Sequence, residues 1–333
     1  MVRVFHDEDA DLDEVKEETV AVLGYGIQGR AQALNLRDSG LSVIVGNRED
    51  DYRKRAHDDG FPVFSIAEAA ARGDIVIFLI PDEAQPEVYE RDVRPGLEAG
   101  NALVFGHGFA VRYGLVRPPP DVDLCLLAPR MPGGYVREFF LQGRGVPAFV
   151  HAQRDATRRA LKRVLALAKG IGATRAGCFE VTFSQETELD HFSEHFTYPL
   201  IVRALELAFE FLMEEGYPPE AALMELHGSG ELGEVLGAAS RMGLHGMLET
   251  HASPACQVGI HSHTDRVFAE GPARRLMKEI LGEIRDGTFA RALVEEQEAG
   301  YPDLKQKLSR ARSHPLVEVE ASLRRKLRGF DTG

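Results

Sequence analysis

The first half of the chain alternates between two hydrophobic periods. "TVAVLGYG" (Thr19–Gly26), "LSVIVGN" (Leu41–Asn47), "DIVIFLIP" (Asp74–Pro81), "NALVFGHG" (Asn101–Gly108) and "VDLCLLAP" (Val122–Pro129) are short, nearly unbroken apolar runs. They are rich in branched residues and contain or end on glycine, proline or asparagine. Such runs predict strands buried on both faces. "RAQALNLRDSG" (Arg30–Gly40) and "IAEAAARG" (Ile66–Gly73) lie between them and read as helices. Strand–helix alternation of this kind predicts a doubly wound parallel sheet of Rossmann type. "RPPPDVD" (Arg117–Asp123) reads as a rigid loop joining two of these units.

Beyond Phe183 the continuous strand runs stop. "LIVRALELAFEFLMEEG" (Leu200–Gly216) places apolar residues at helical spacing and ends on glycine, a natural C-terminal stop. "PARRLMKEILGEIRDG" and "PLVEVEASLRRKLRG" repeat that pattern. The expected organisation is an α/β domain over residues 1–182 and an all-helical domain over 183–330.

Composition narrows the function classes. With 333 residues, 44% of them hydrophobic, the chain can bury a sizeable core. A net charge of −13 argues against nucleic acid and anionic membranes as partners. No apolar run approaches the roughly 20 residues of a membrane span. The acidic opening "MVRVFHDEDADLDEVKEE" has no apolar signal core. Cys125, Cys178 and Cys256 lie far apart and form no CxxC pair, which points to a reducing, cytoplasmic setting.

Candidate chemistry begins at Gly24, Gly26 and Gly29. This G-x-G-x-x-G follows a strand and opens a helix, which is the context of a dinucleotide-binding loop. The first glycine permits the tight turn, the second lets a pyrophosphate approach, and the third lets helix and strand pack. About 20 residues on, at the end of the second strand, the ribose is selected. There the chain reads Arg48, Glu49, Asp50, Asp51, with Arg53 and Lys54 next. Carboxylates accept from ribose hydroxyls and repel a 2′-phosphate, and the three acids favour NAD over NADP.

Several segments in order carry a family resemblance: "GYGIQGRAQALNLRDSG", "IPDEAQPEVYE", "GNALVFGHGF", "PPPDVDLCLLAPRMPG", "AKGIGATRAG", "DGTFARALVEEQEAG" and "HPLVEVEASLR". Together they resemble the ketol-acid reductoisomerase family, short single-lobed class, along nearly the whole chain. The resemblance implies a Rossmann domain followed by a knotted helical domain. It implies NADPH and Mg²⁺ as cofactors, and a homodimer, or a higher homo-oligomer built from dimers, that completes each active site. Its small-molecule substrate would be a 2-hydroxy-2-methyl-3-oxo acid, in which an alkyl group shifts before reduction to a dihydroxy acid.

Site residues follow from the matching positions. The cofactor would lie on Gly24 to Gly29, including Tyr25, Ile27 and Gln28, and against Arg48, Asp50, Asp51, Pro81 and His107. Asp190 and Glu194, four apart in "ETELDHFSEHF", share a helix face and match the family's metal-binding acids. Oxygen ligands of this kind suit Mg²⁺. His107, in "GHGF", matches the active-site histidine. Glu186 and Glu188 precede the metal pair and either shape the local field or, the favoured reading, are ordinary surface acids. His191 and His195 are also four apart, on a face turned about 100° from the acids, and are extra ligands, substrate-facing donors or, the favoured reading, packing residues.

Four features depart from the family. Arg130 stands where the family has lysine, and a planar fork is not a point charge. In "MELHGSGELGEVL", Glu225 and Glu231 each match one of two further metal-shell glutamates, yet Gly-Ser-Gly prevents both from sitting on one unbroken helix. The substrate serine falls on Ala252 or Ser253, with His227 and His251 as new polar groups. The usual Gly-Ser phosphate loop is shortened and acidic at Asp50 and Asp51. Because the changes cluster on substrate-reading positions, the expected function is a retasked Mg²⁺- and NAD(P)-dependent oxidoreductase or isomerase on another polyoxygenated acid. One example is the family branch in specialised metabolism that closes a cyclopropanol from a sulfonium-bearing hydroxy acid. The alternatives are an ordinary ketol-acid reductoisomerase and a non-catalytic dinucleotide sensor.

Overall fold

The computed structural model describes residues 2–327, so residues 328–330 of the expected second domain lie outside it. The chain divides into two units after Leu189.

The first unit is built on one nine-stranded sheet, in the order β1-β9-β8-β7-β6-β5-β2-β3-β4. The strands are β1 (Val4–Phe5), β2 (Thr19–Leu23), β3 (Ser42–Gly46), β4 (Val63–Phe64), β5 (Ile75–Phe78), β6 (Ala102–Phe105), β7 (Asp123–Pro129), β8 (Ala148–Arg154) and β9 (Cys178–Glu180). From β4 to β7 the pairing is parallel. At the far side of the sheet two pairs run antiparallel, β7 with β8 and β1 with β9. The helices are α1 (Ile27–Asp38), α2 (Asp51–Asp58), α3 (Ile66–Arg72), α4 (Gln85–Val88), α5 (Phe109–Arg112), α6 (Gly133–Leu141) and α7 (Ala160–Gly170).

The unbroken apolar runs have a direct explanation. Strand side chains alternate between faces, and here both faces are covered. Val20, Val22, Ile75 and Ile77 enter one core layer, while Ala21, Leu23, Val76 and Phe78 enter the other. The strand order reverses at β2, whose neighbours β3 and β5 lead in opposite directions. Such switch points open a crevice at the carboxyl ends of the strands.

Helix α8 (Phe183–Phe192) begins in the first unit and continues into the second. A π-helical turn, Ser193–Thr197, follows it. The second unit is then helical: α9 (Tyr198–Glu214), α10 (Pro219–Leu223), α11 (Glu231–Met242), α12 (Leu244–His251), α13 (Pro254–Val267), α14 (Glu270–Arg285), α15 (Thr288–Glu298), α16 (Pro302–Arg312) and α17 (Pro315–Lys326). Phe209, Ala222, Leu223 and Leu323 form its small buried cluster. Among the described residues, no helix is long and apolar enough to cross a membrane.

Candidate active site

At the switch point lies a cleft of about 690 Å³, lined by Gly24–Gln28, Asn47, Arg48, Asp50, Tyr52, Pro81, Asp82, Gly106, His107 and Pro129, among others. The glycine loop shapes its floor. Gly24 has φ +94°, and a Cβ there would stand 2.8 Å from the Leu79 carbonyl oxygen. A Cβ on Gly29 would stand 1.8 Å from the Gly24 oxygen, so only glycine lets α1 start where it does. At Gly26 a Cβ would meet nothing within 4 Å. Backbone is therefore bare toward the cleft at the α1 N-terminus, which fits a pyrophosphate. The Gln28 amide donates to the Met131 carbonyl at 2.8 Å, tying the loop to the approach of α6.

A buried polar relay joins this loop to the end of β3. The Tyr25 N–H donates to the Asn47 side-chain oxygen at 2.9 Å. The Asn47 amide donates in turn to Asp50 at 2.8 Å. Asp50 caps α2, accepting from the N–H groups of Tyr52 (2.9 Å) and Arg53 (3.1 Å), and it accepts from Arg48 at 2.9 Å. Partial burial pushes the Asp50 carboxyl up, but Arg48 and the two amides outweigh it and hold it below the usual carboxylate range. Arg53 turns inward to the Asn47 and Phe64 carbonyls. Asp51, expected beside Asp50, points away: it is exposed, pairs with Lys54 and does not line the cleft. Asn47 is a further site residue that sequence reasoning missed. A polar residue closing an apolar strand was its only signal.

Behind the cleft-lining His107, the surface-acid reading of Glu186 is overturned. It is fully buried. Its carboxylate faces His107 Nδ1 at 3.1 Å and accepts from the Gly108 N–H at 2.8 Å and from Arg130 at 3.0 Å. With two N–H donors already on the carboxylate, the network assigns the His107 proton to Nδ1. His107 Nε2 lies 3.8 Å from Asp82. Gly108 makes the approach possible, since a Cβ there would stand 2.5 Å from Thr187 Oγ1. Arg130 also stacks over Phe149, 4.9 Å from the ring centre. Glu188 is not a free surface acid either: Arg112 donates to it at 3.4 Å.

The description "Acetohydroxy acid isomeroreductase, NADPH-binding domain" matches residues 14–177, and "Ketol-acid reductoisomerase, C-terminal domain" matches residues 183–328. The chain belongs to the ketol-acid reductoisomerase family. It is 43% identical over 333 residues to a ketol-acid reductoisomerase (NADP(+)) of Pyrobaculum calidifontis, covering 99% of this chain and 100% of that one. It is likewise 43% identical to its counterpart in Methanocaldococcus jannaschii, covering 99% of each chain. A solved NADH-preferring ketol-acid reductoisomerase from an uncultured archaeon superposes with a TM-score of 0.93 at 36% identity, covering 98% of this chain and 99% of that one.

The remaining reductoisomerase positions fall as follows. Asp190 lies one turn beyond Glu186 on the continuous α8, so the two share a helix face. Glu194 sits in the π-helical turn after α8, where its carboxylate stands 3.4 Å from His191 Nδ1. Burial, and then the neighbouring His191, hold the His195 imidazole below its ordinary value. Glu225 and His227 occupy a second π-helical turn, Met224–Gly228, and His227 Nε2 pairs with Glu320 at 3.0 Å. Gly230, with φ +83°, breaks the chain direction before Glu231 opens α11. Glu225 and Glu231 are thus on separate helical segments. His251 is exposed and ends α12, Ala252 follows it, and the Ser253 hydroxyl caps α13 by accepting from the Cys256 N–H at 3.3 Å.

Proposed function

We propose that this chain catalyses the ketol-acid reductoisomerase reaction: an alkyl shift within a 2-hydroxy-2-methyl-3-oxo acid, followed by reduction to a dihydroxy acid. The observation that carries the reading is the buried Glu186 carboxylate, bonded at once to Arg130, the Gly108 amide and the cleft-lining His107. A buried charge on so many partners is costly to assemble, and a sensor that only holds a nucleotide has no use for it. Full-length likeness to reductoisomerases supports the ordinary reaction over the specialised one.

The donor chemistry fits the family's cofactors. The bare backbone over Gly26 suits a pyrophosphate, and the carboxylates of Asp190 and Glu194 suit Mg²⁺. When bound, these groups supply reducing equivalents and Lewis-acid polarisation of the substrate oxygens. The chain's own residues do the rest. Glu186 fixes the His107 ring and its tautomer, which directs Nε2 toward proton exchange at the substrate hydroxyl. Arg130, pinned by Glu186 and Phe149, brings a planar cation suited to the substrate carboxylate. Glu225 and Glu231 are assigned to the metal shell, and His227, His251 and Ser253 to the substrate's surroundings.

We assign the nicotinamide as NADH rather than NADPH. The Asp50 carboxylate occupies the N-terminus of α2, where a 2′-phosphate would otherwise be drawn. Arg48 and Arg53 are both turned to partners within the loop. We also assign the working form as a homodimer or an oligomer of dimers, because Tyr198, Val202, Leu207 and Phe211 of α9 are left exposed.

The test is turnover of acetolactate with each nicotinamide in the presence of Mg²⁺. The expected result is product dihydroxy acid, faster at low cofactor concentration with NADH. No turnover, with dinucleotide still bound, would reject the ordinary reaction.

A further inference from the structure

The turn after α8 carries donors that an oxygen-only Mg²⁺ seat does not use. His191 lies at the end of α8, and Glu194 and His195 lie in the π-helical turn that follows it. One ligand atom from each lies within 4.8 Å of the other two. The imidazole rings are 5.3 Å apart, centre to centre. Phe289 of α15 packs against both, 5.0 Å from the His191 ring and 4.3 Å from the His195 ring. The rings are therefore held against an apolar wall. Glu194 is half exposed, so the cluster has a route to solvent. Glu283 of α14 acts electrostatically on His195, which adds a second carboxylate nearby.

We propose that His191, Glu194 and His195 form a seat for a borderline divalent cation of the Zn²⁺ class, in which Glu194 turns to two imidazoles that the magnesium reading leaves unused. Mg²⁺ demands an octahedron of oxygens and dehydrates reluctantly. Two imidazoles and one carboxylate instead match the ligand preference of Zn²⁺. With bonds of about 2.0–2.1 Å, tetrahedral donors stand about 3.4 Å apart, so the cluster closes on an ion by shifts of about 1 Å in side chains alone. The seat shares only Glu194 with the magnesium reading above, and it rests on that reading no further.

The probe is Co²⁺, titrated into the metal-stripped full-length protein and followed by its visible ligand-field bands. The bands are expected to saturate at one equivalent. Equimolar Zn²⁺ should erase them, and a large excess of Mg²⁺ should not. Affinity should fall by at least about a hundredfold in His191→Leu and in His195→Gln, with far-ultraviolet circular dichroism confirming that each variant folds. Asp190→Asn should keep the bands. The proposal is overturned if no bands appear, if Mg²⁺ competes as well as Zn²⁺, or if both histidine variants bind Co²⁺ as the parent does. The magnesium reading is judged separately: it fails if Asp190→Asn leaves Mg²⁺-dependent turnover unchanged, whatever the cobalt spectrum does.

Discussion

In the first unit, both faces of the sheet are covered by helices from the same stretch of chain, and Val22, Leu23, Ile77 and Phe78 are fully buried. In the second, the main buried cluster is Phe209, Ala222, Leu223 and Leu323, while Val202, Phe211, Val258 and Val267 of neighbouring helices stay exposed. The sheet unit satisfies its own apolar surface. The helical unit leaves large apolar side chains of several helices exposed. The catalytic hub lies in the self-sufficient unit: His107 and Gly108 follow strand β6, and the fully buried Glu186 of α8 packs against them.

That contrast can be broken most severely at α9. Val202→Asp with Phe211→Asp should weaken self-association by about 4 kcal/mol, near a thousandfold, as for the loss of two interface anchors. Analytical ultracentrifugation would then show monomers at concentrations where the parent is assembled, and dinucleotide would still bind. In the sheet unit, Leu103→Ala should cost about 2–5 kcal/mol of stability. Unlike the α9 change, that loss should persist unaltered as protein concentration is raised in denaturant melts. Glu186→Gln should lower kcat by about a hundredfold, roughly 2.7 kcal/mol, with little change in dinucleotide affinity. The smallest effect belongs to Asp50→Ser, which should move the NADPH-to-NADH affinity ratio upward by about tenfold, near 1.4 kcal/mol. Asp51→Ser, far out in solvent, should leave that ratio where it was.

Much of the sheet unit was legible because its signals are local. A strand flanked by glycine and buried on both faces announces itself in a few residues, and "GYGIQG" carries its own turn geometry. The two-residue strands β1 and β4, and the antiparallel additions of β8 and β9, were not legible, since their pairing depends on distant partners and not on their own sequence. Glu186 was misread for a related reason. On α8 it looks like one acid among several, and its burial is decided by Gly108, seventy-eight residues earlier in the chain. The glycine after His107 was the available clue. The π-helical turns at Ser193 and Met224, which carry Glu194 and Glu225, left no mark in the hydrophobic pattern.

The most direct test of the Glu186 hub is the protonation pattern of His107, read by long-range proton–nitrogen NMR on histidine-labelled protein near neutral pH. A carboxylate already holding the Gly108 amide and Arg130 requires the proton on Nδ1, with Nε2 unprotonated in the neutral ring. Finding the neutral ring protonated on Nε2 would mean that Glu186 does not orient the histidine, and the catalytic assignment built on that contact would fall.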